Sequence, residues 1–250
     1  MSDIVYGVQL YTFRKQLKMP EQVEKVFKEL SKLECKTVQI SGMCEMPAKR
    51  LREIADENNM TICSTHSPFE RITGDLDALA DEHLVMGCEI IGLGMMPIKY
   101  LTGAQGIKRF CEIANEICEK LKPYGLKFGY HNHFRELKTV GDSVILDILA
   151  KEVPGMQLIL DTYWVKFAGK DPAEYINKYP GRLDLIHLKD YNKGVLFKHI
   201  ADVGSGSLNW TEIIKAAKNA GTKYAVVEHD NTKNPLLTVK NSLDFIRTIN

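Results

Sequence analysis

Apolar positions along this chain follow two alternating rhythms. Short runs rich in β-branched and aromatic residues recur at intervals of roughly 20 to 40 residues. They are VYGVQLY (5–11), TVQIS (37–41), TICSTH (61–66), EIIGLGM (89–95), KFGYHNH (127–133), MQLILDTY (156–163), LDLIHLKD (183–190) and YAVVEHD (224–230). Between them the apolar residues repeat at helical spacing. In PEQVEKVFKELSKLE, Val23, Val26, Phe27 and Leu30 share one face. PAKRLREIADENN, GIKRFCEIANEICEKLK, NWTEIIKAAKNAG and the C-terminal TVKNSLDFIRTI behave alike, and Gly125 and Gly221 stand where helices should stop before the next strand. Eight strands alternating with eight helical segments predict a (β/α)8 TIM barrel, as one domain over residues 1–250. A doubly wound open sheet is the competitor, and it accounts less well for the strand count and the length.

Composition narrows the partners. The 250 residues carry 33 basic against 32 acidic side chains, a formal net charge of +1, so nothing draws the chain to nucleic acid or to an anionic membrane. No apolar run approaches a membrane-spanning length. The start, MSDIVYGVQLYTFRKQ, lacks the basic region and apolar core of a signal peptide. The six cysteines, Cys35, Cys44, Cys63, Cys88, Cys111 and Cys118, form no CxxC pair and read as reduced thiols, which points to the cytoplasm. Homo-oligomerisation is left open.

In a barrel of this kind the reactive face lies at the C-terminal ends of the strands. Those ends offer Gln9 and Tyr11, Gln39, His66, Met95, His131 and His133, Asp161, His187 with Lys189 and Asp190, and Glu228 with His229. A single Asp or His there is most often a cap or a satisfied hydrogen bond. Four consecutive strands ending in such groups are different, because the barrel converges them and burying them unpaired is costly. A divalent ion on His131, Asp161, His187 and Glu228 is the economical explanation. The mixed nitrogen and oxygen set suits Mn, Co, Fe or Zn better than Ca. His131 and His133, two residues apart on an extended strand, face the same side.

GVQLYT, LDTYW, IHLKD, DVGSGSLNW and VVEHD resemble the xylose isomerase-like TIM barrels. This superfamily of sugar phosphate isomerases and epimerases also holds hydroxypyruvate isomerase, inosose dehydratase and AP endonuclease family 2. The resemblance implies one divalent ion, Mn first with Co, Mg, Fe or Zn as alternatives, held by Glu, Asp, His and Glu from the last four strands. Asp161, His187 and Glu228 match. The first ligand departs: His131 stands six residues after Gly125, where the family has Glu. Either His131 binds the ion, or three protein ligands and water do, or Glu136 supplies the carboxylate. A His-rich fifth strand resembles the inosose dehydratase branch.

The resemblance implies further roles. Trp164 stands where the epimerases place a substrate-binding His, and it offers a stacking face instead. Their pair of proton-moving carboxylates is incomplete here: Glu228 is kept, and His131 stands on the other side, so Glu228 or His133 must carry the proton. His66, Lys189, His199 and the GSGSLNW loop become candidates for substrate contact, with Lys189 and Asp190 holding a hydroxyl or pairing with each other. The expected function is a divalent-metal-dependent isomerase or epimerase of a small sugar or polyol, acting through an enediolate. A dehydratase or hydratase shares that intermediate, and a non-catalytic sugar-binding subunit is the reading from another class. A nuclease is disfavoured by the neutral charge.

Overall fold

The computed structural model describes residues 3–193 and 198–249. Eight parallel strands form β1 (Val5–Gln9), β2 (Thr37–Ile40), β3 (Thr61–His66), β4 (Ile90–Leu93), β5 (Lys127–His131), β6 (Gln157–Asp161), β7 (Leu185–Leu188) and β8 (Tyr224–Val227). Each pairs with its sequence neighbours, and β1 closes onto β8 through Val5↔Tyr224 to Val8↔Val227. The barrel is therefore closed, as predicted, and the open sheet does not form. Several strands end earlier than the sequence runs. The chain leaves the ladder after Asp161 to form the helix Thr162–Phe167, and Asp190–Lys193 pairs antiparallel with Lys198–Ala201 in a hairpin above the barrel.

Side chains alternate between two environments along each strand. Phe128, Tyr130, Leu158, Leu160, Ile186 and Leu188 face outward and pack under the helices. The helix Pro20–Lys32 contributes Val23, Val26, Phe27 and Leu30 to that layer, the face its spacing predicts. Gly125 (φ 69°) and Gly221 (φ 80°) end helical segments in the left-handed region that only glycine enters without strain. Inside the barrel, Cys63, Ile90, Ile159, Leu185 and Val226 form a separate small core. Gly129 makes room for it: a Cβ there would sit 2.8 Å from Ile90 Cγ2 and 3.0 Å from Ile159 Cδ1.

Polar groups close the barrel at both ends. Below the core, Asp184 pairs with Lys127 and lies 3.6 Å from Lys223, whose ammonium is 3.8 Å from Glu89. Above it, the inward register places Gln9, Gln39, His66, His131, Asp161 and His187, with Glu228 one residue beyond β8. Among the described residues no helix is long and apolar enough to cross a membrane.

One buried histidine outside the barrel sets a pH limit. His83, on the helix Leu76–Met86, donates from Nδ1 to Leu79 O at 2.7 Å and accepts at Nε2 from Thr65 Oγ1 at 2.9 Å. Burial pulls its pKa from 6.5 down to about 4. The unfolded chain therefore binds this proton more readily. The contribution of neutral His83 is complete above 6.5 and is lost as pH falls through about 4. Urea unfolding across that range should show a shallower loss of stability in His83→Gln than in the parent. Identical pH slopes would refute the assignment.

Candidate metal centre

Four neighbouring strands deliver four groups to one point. His131 ends β5, Asp161 ends β6, His187 is inward on β7 and Glu228 follows β8. All four are buried, and one ligand atom from each lies within 4.8 Å of the others. The structure thus brings together the four residues that the sequence put forward. His66 extends the cluster, since His66, His131 and His187 form a second group with the same spacing limit.

The surroundings of His187 show what the cluster can hold. Its Nε2 lies 2.6 Å from Gln39 Oε1, a carbonyl oxygen that only accepts, so Nε2 carries the hydrogen. In the neutral ring Nδ1 then presents a lone pair. It faces Glu228 Oε2 at 2.8 Å and Asp161 Oδ2 at 3.9 Å. Two acceptors at hydrogen-bond distance need a proton or a cation between them. A ring whose far N–H is tied to an oxygen is the usual arrangement of a metal-bound histidine.

The other imidazoles are held neutral, the form that ligates. Burial pulls His131 well below its ordinary value, helped by His187 and His133. Burial likewise lowers His66 to about 3 and His133 to about 4. His66 Nε2, His131 Nδ1 and His133 Nδ1 are buried without a hydrogen-bond partner among the described residues. The His131 ring lies 4.4 Å from that of His187 and 4.8 Å from that of His133.

Lys189 completes the electrostatics. Its Nζ sits 3.1 Å from Asp161 Oδ2, 3.0 Å from Glu228 Oε2 and 3.1 Å from Asp230 Oδ1. Burial alone would lower its pKa, but Asp161, Glu228 and Asp230 reverse this and hold the ammonium charged. Burial would raise Glu228, yet Lys189 and His187 outweigh it and hold that carboxyl well below its ordinary range. Burial does push Asp161 up, to about 6, against the pull of Lys189. One ammonium against three carboxylates leaves negative charge over, and this donor set fits a divalent cation.

Two of the alternatives read from the sequence are corrected. Lys189 does not pair with Asp190, because adjacent residues on an extended chain point to opposite sides. Asp190 instead accepts from the backbone N–H of Gly204 (2.9 Å), Gly206 (3.1 Å) and Leu208 (3.2 Å), and from Trp210 Nε1 (2.7 Å). It thereby pins the DVGSGSLNW loop, in which a Cβ at Gly206 would sit 2.2 Å from Asp190 Oδ1. Glu136 is not directed at the cluster. It accepts from Tyr130 Oη at 2.7 Å and from the His133 N–H at 2.8 Å.

The remaining candidates separate. A cavity of about 720 Å³ opens above the cluster, lined by His66, His131, His133, Lys189, Glu228 and Asp230 among others. Trp164 flanks the cluster: its N–H donates to Asp161 Oδ1 at 3.0 Å, and its ring lies 5.2 Å from that of His133. His199 is exposed on the hairpin, paired in register with Asn192, and does not line this cavity. Sequence reasoning placed Gln39 at a strand end without giving it a role, and gave none to Asp230 or to Asn132, whose Oδ1 accepts from the Asp161 N–H at 3.1 Å. The available signal was parity, since Gln39 and Asp230 both fall on inward positions near strand ends.

Residues 27–249 match the model of the xylose isomerase-like TIM barrel family. The chain belongs to this family. Among curated relatives, an inosose dehydratase from Clostridium beijerinckii is 26% identical over 59% of this chain and 56% of its own length. That match thus spans little more than half of the relative. An inosose dehydratase from Clostridium botulinum is 22% identical over 85% of each chain. Among solved structures, a sugar phosphate isomerase/epimerase from Parabacteroides distasonis superposes with a TM-score of 0.81, at 22% identity, over 99% of this chain and 97% of that one. At that identity the superposition speaks for the fold.

Asp161→Ala removes one carboxylate and leaves the Lys189 charge matched by Glu228 and Asp230. After incubation with Mn, elemental analysis should find this barrel variant depleted of metal while its thermal midpoint in EDTA stays within a few degrees of the parent's. Stoichiometric retention of the ion would place the metal site elsewhere.

Proposed function

We propose that this chain is a divalent-metal-dependent carbohydrate isomerase or epimerase that removes a proton from the carbon next to a carbonyl. The observation that carries this is the convergence of His131, Asp161, His187 and Glu228, one ligand atom from each within 4.8 Å of the others, beneath an open cavity. His131, Asp161, His187 and Glu228 are the residues that would hold the ion, with Mn first and Co, Mg, Fe or Zn as alternatives. When bound, it would supply Lewis-acid polarisation of the substrate carbonyl.

The chain's own groups do the rest. Glu228 stays ionised beside Lys189 and takes the proton from carbon. The Lys189 ammonium remains charged in the cavity wall and stabilises the negative charge that develops on oxygen. His133 offers an unpartnered ring nitrogen on the β5 side of the same cavity and is the second proton-carrying group. His66 and Lys189 offer contacts to hydroxyls, and Trp164 flanks the site with an apolar face. A proton returned to carbon gives an isomerase or epimerase.

A second reading is a dehydratase, in which the same enolate expels a β-hydroxyl. Two findings favour it: the curated relatives are inosose dehydratases, and an imidazole, His131, stands where the epimerases keep a second carboxylate. Both readings share the first step, so one measurement tests both. Proton exchange into ketoses and inososes in deuterated water, with added Mn, should be followed by NMR. Glu228→Gln keeps a donor oxygen but is a far poorer base, so exchange should fall at least about a hundredfold. His133→Asn should fall comparably if His133 carries the second proton and less if it only positions substrate. Normal exchange in Glu228→Gln alongside its loss in His133→Asn would move the base to β5.

A further inference from the structure

A second space, of about 810 Å³, adjoins the cavity above the cluster: Ser41, His66, Ser67 and Pro68 line both. It is bounded by the segment after β2 and by the helices Ala48–Glu57 and Leu76–Met86. Its walls include Met43, Met46, Leu51 and Met86, with Met43 and Met46 half-buried. Unbranched thioether side chains make an adaptable apolar lining of the kind that accepts flat or irregular ligands. A single sugar ring above the metal ligands would leave this lobe to water.

Charge argues in the same direction. Above the cluster, Arg14 and Lys189 face Glu70, Glu228 and Asp230; in the lobe, Arg71 faces Glu45 and Glu82. Carboxylates outnumber cations in both spaces, and two of the three cations are already engaged. Lys189 is held by its three carboxylates. Both Arg71 terminal nitrogens bond the two oxygens of Glu82 at 3.0 Å. Arg14 lies 4.3 Å from the centre of the Tyr11 ring and donates to Tyr11 O at 3.2 Å. A divalent ion on the cluster would only offset the Asp161 and Glu228 charges. Among the described lining residues a phosphate would find no set of free cations of the kind that binds it bidentately.

We infer that the substrate is an uncharged carbohydrate that carries a ketone for the enolising step and an apolar substituent, such as an aryl keto-glycoside, with the keto sugar over the cluster and the substituent in the Met43–Met46 lobe; simple glucosides serve as unreactive binding probes. This rests on the carbohydrate reading proposed above and names its substrate class. Calorimetric titration of the Mn-loaded chain with methyl β-glucoside, phenyl β-glucoside and glucose 6-phosphate tests it. The phenyl glycoside should bind at least about tenfold more tightly than the methyl one, and the phosphate most weakly. Met46→Trp or Met43→Trp fills the lobe and should erase the phenyl advantage while leaving methyl glucoside binding unchanged. Equal binding of the two glycosides, preference for the phosphate, or no binding of any probe overturns the inference. So does a phenyl advantage that survives in both Trp variants once thermal melts show them folded. Phenyl preference without proton exchange would keep the lobe and remove the enolising reaction; exchange on free ketoses without phenyl preference would do the reverse.

Discussion

The fold tolerates an unusual burden at its upper mouth: Asp161, Glu228 and Asp230 converge on one ammonium, Lys189, in a largely water-excluded space. Desolvating an ion costs several kcal/mol even after relaxation. Lys189 offsets part of that cost by meeting all three carboxylates. The residual negative charge suits the site to a cation. Most of what surrounds it serves to keep these groups from relaxing apart.

The supports come from every side of the barrel. Gln39 reaches across from β2 to fix which nitrogen of His187 carries hydrogen. The Asp161 backbone is tied to Asn132, and its side chain caps the helix Thr162–Phe167 by accepting from Trp164 N. One oxygen of Asp161 is thus spent on the helix start, and the other is left for Lys189 or an ion. Asp190 sits one residue from Lys189 and anchors the loop after the hairpin with hydrogen bonds from three backbone amides and an indole. Candidate ligand, counter-ion and loop anchor therefore occupy a four-residue stretch, His187 to Asp190, sorted by strand parity alone.

Parity also explains how much could be read without coordinates. Strands, helical faces and the convergence of His131, Asp161, His187 and Glu228 all follow from periods of 2 and 3.6 combined with barrel closure. What escaped depends on partners remote in sequence. Gln39 and His187 are 148 residues apart, and no local pattern pairs them. Glu136 looked available as a ligand because it lies close to His133 in sequence, yet it turns toward Tyr130 and the His133 amide. The pairing expected of Lys189 with Asp190 ignored the alternation that served well elsewhere. The Met-lined lobe arises from a loop and two helices, none of which carries a motif.

The two ends of the barrel treat their polar groups differently. At the lower end Lys127, Lys223, Asp184 and Glu89 satisfy one another, and Gln157 Oε1 accepts from the Asp184 N–H at 3.1 Å. That end is a closed polar plug. Among the described residues, the buried side-chain atoms without hydrogen-bond partners lie, Thr222 Oγ1 apart, at or just beyond the upper ends of β2, β3, β5 and β6. Folded proteins pair nearly all their buried polar groups. Gathered at one end, with a single threonine hydroxyl at the other, such atoms are not scattered as a general failure of packing would scatter them. Imidazole nitrogens beside carboxylates are groups that a cation, or the oxygen atoms of a bound molecule, would satisfy.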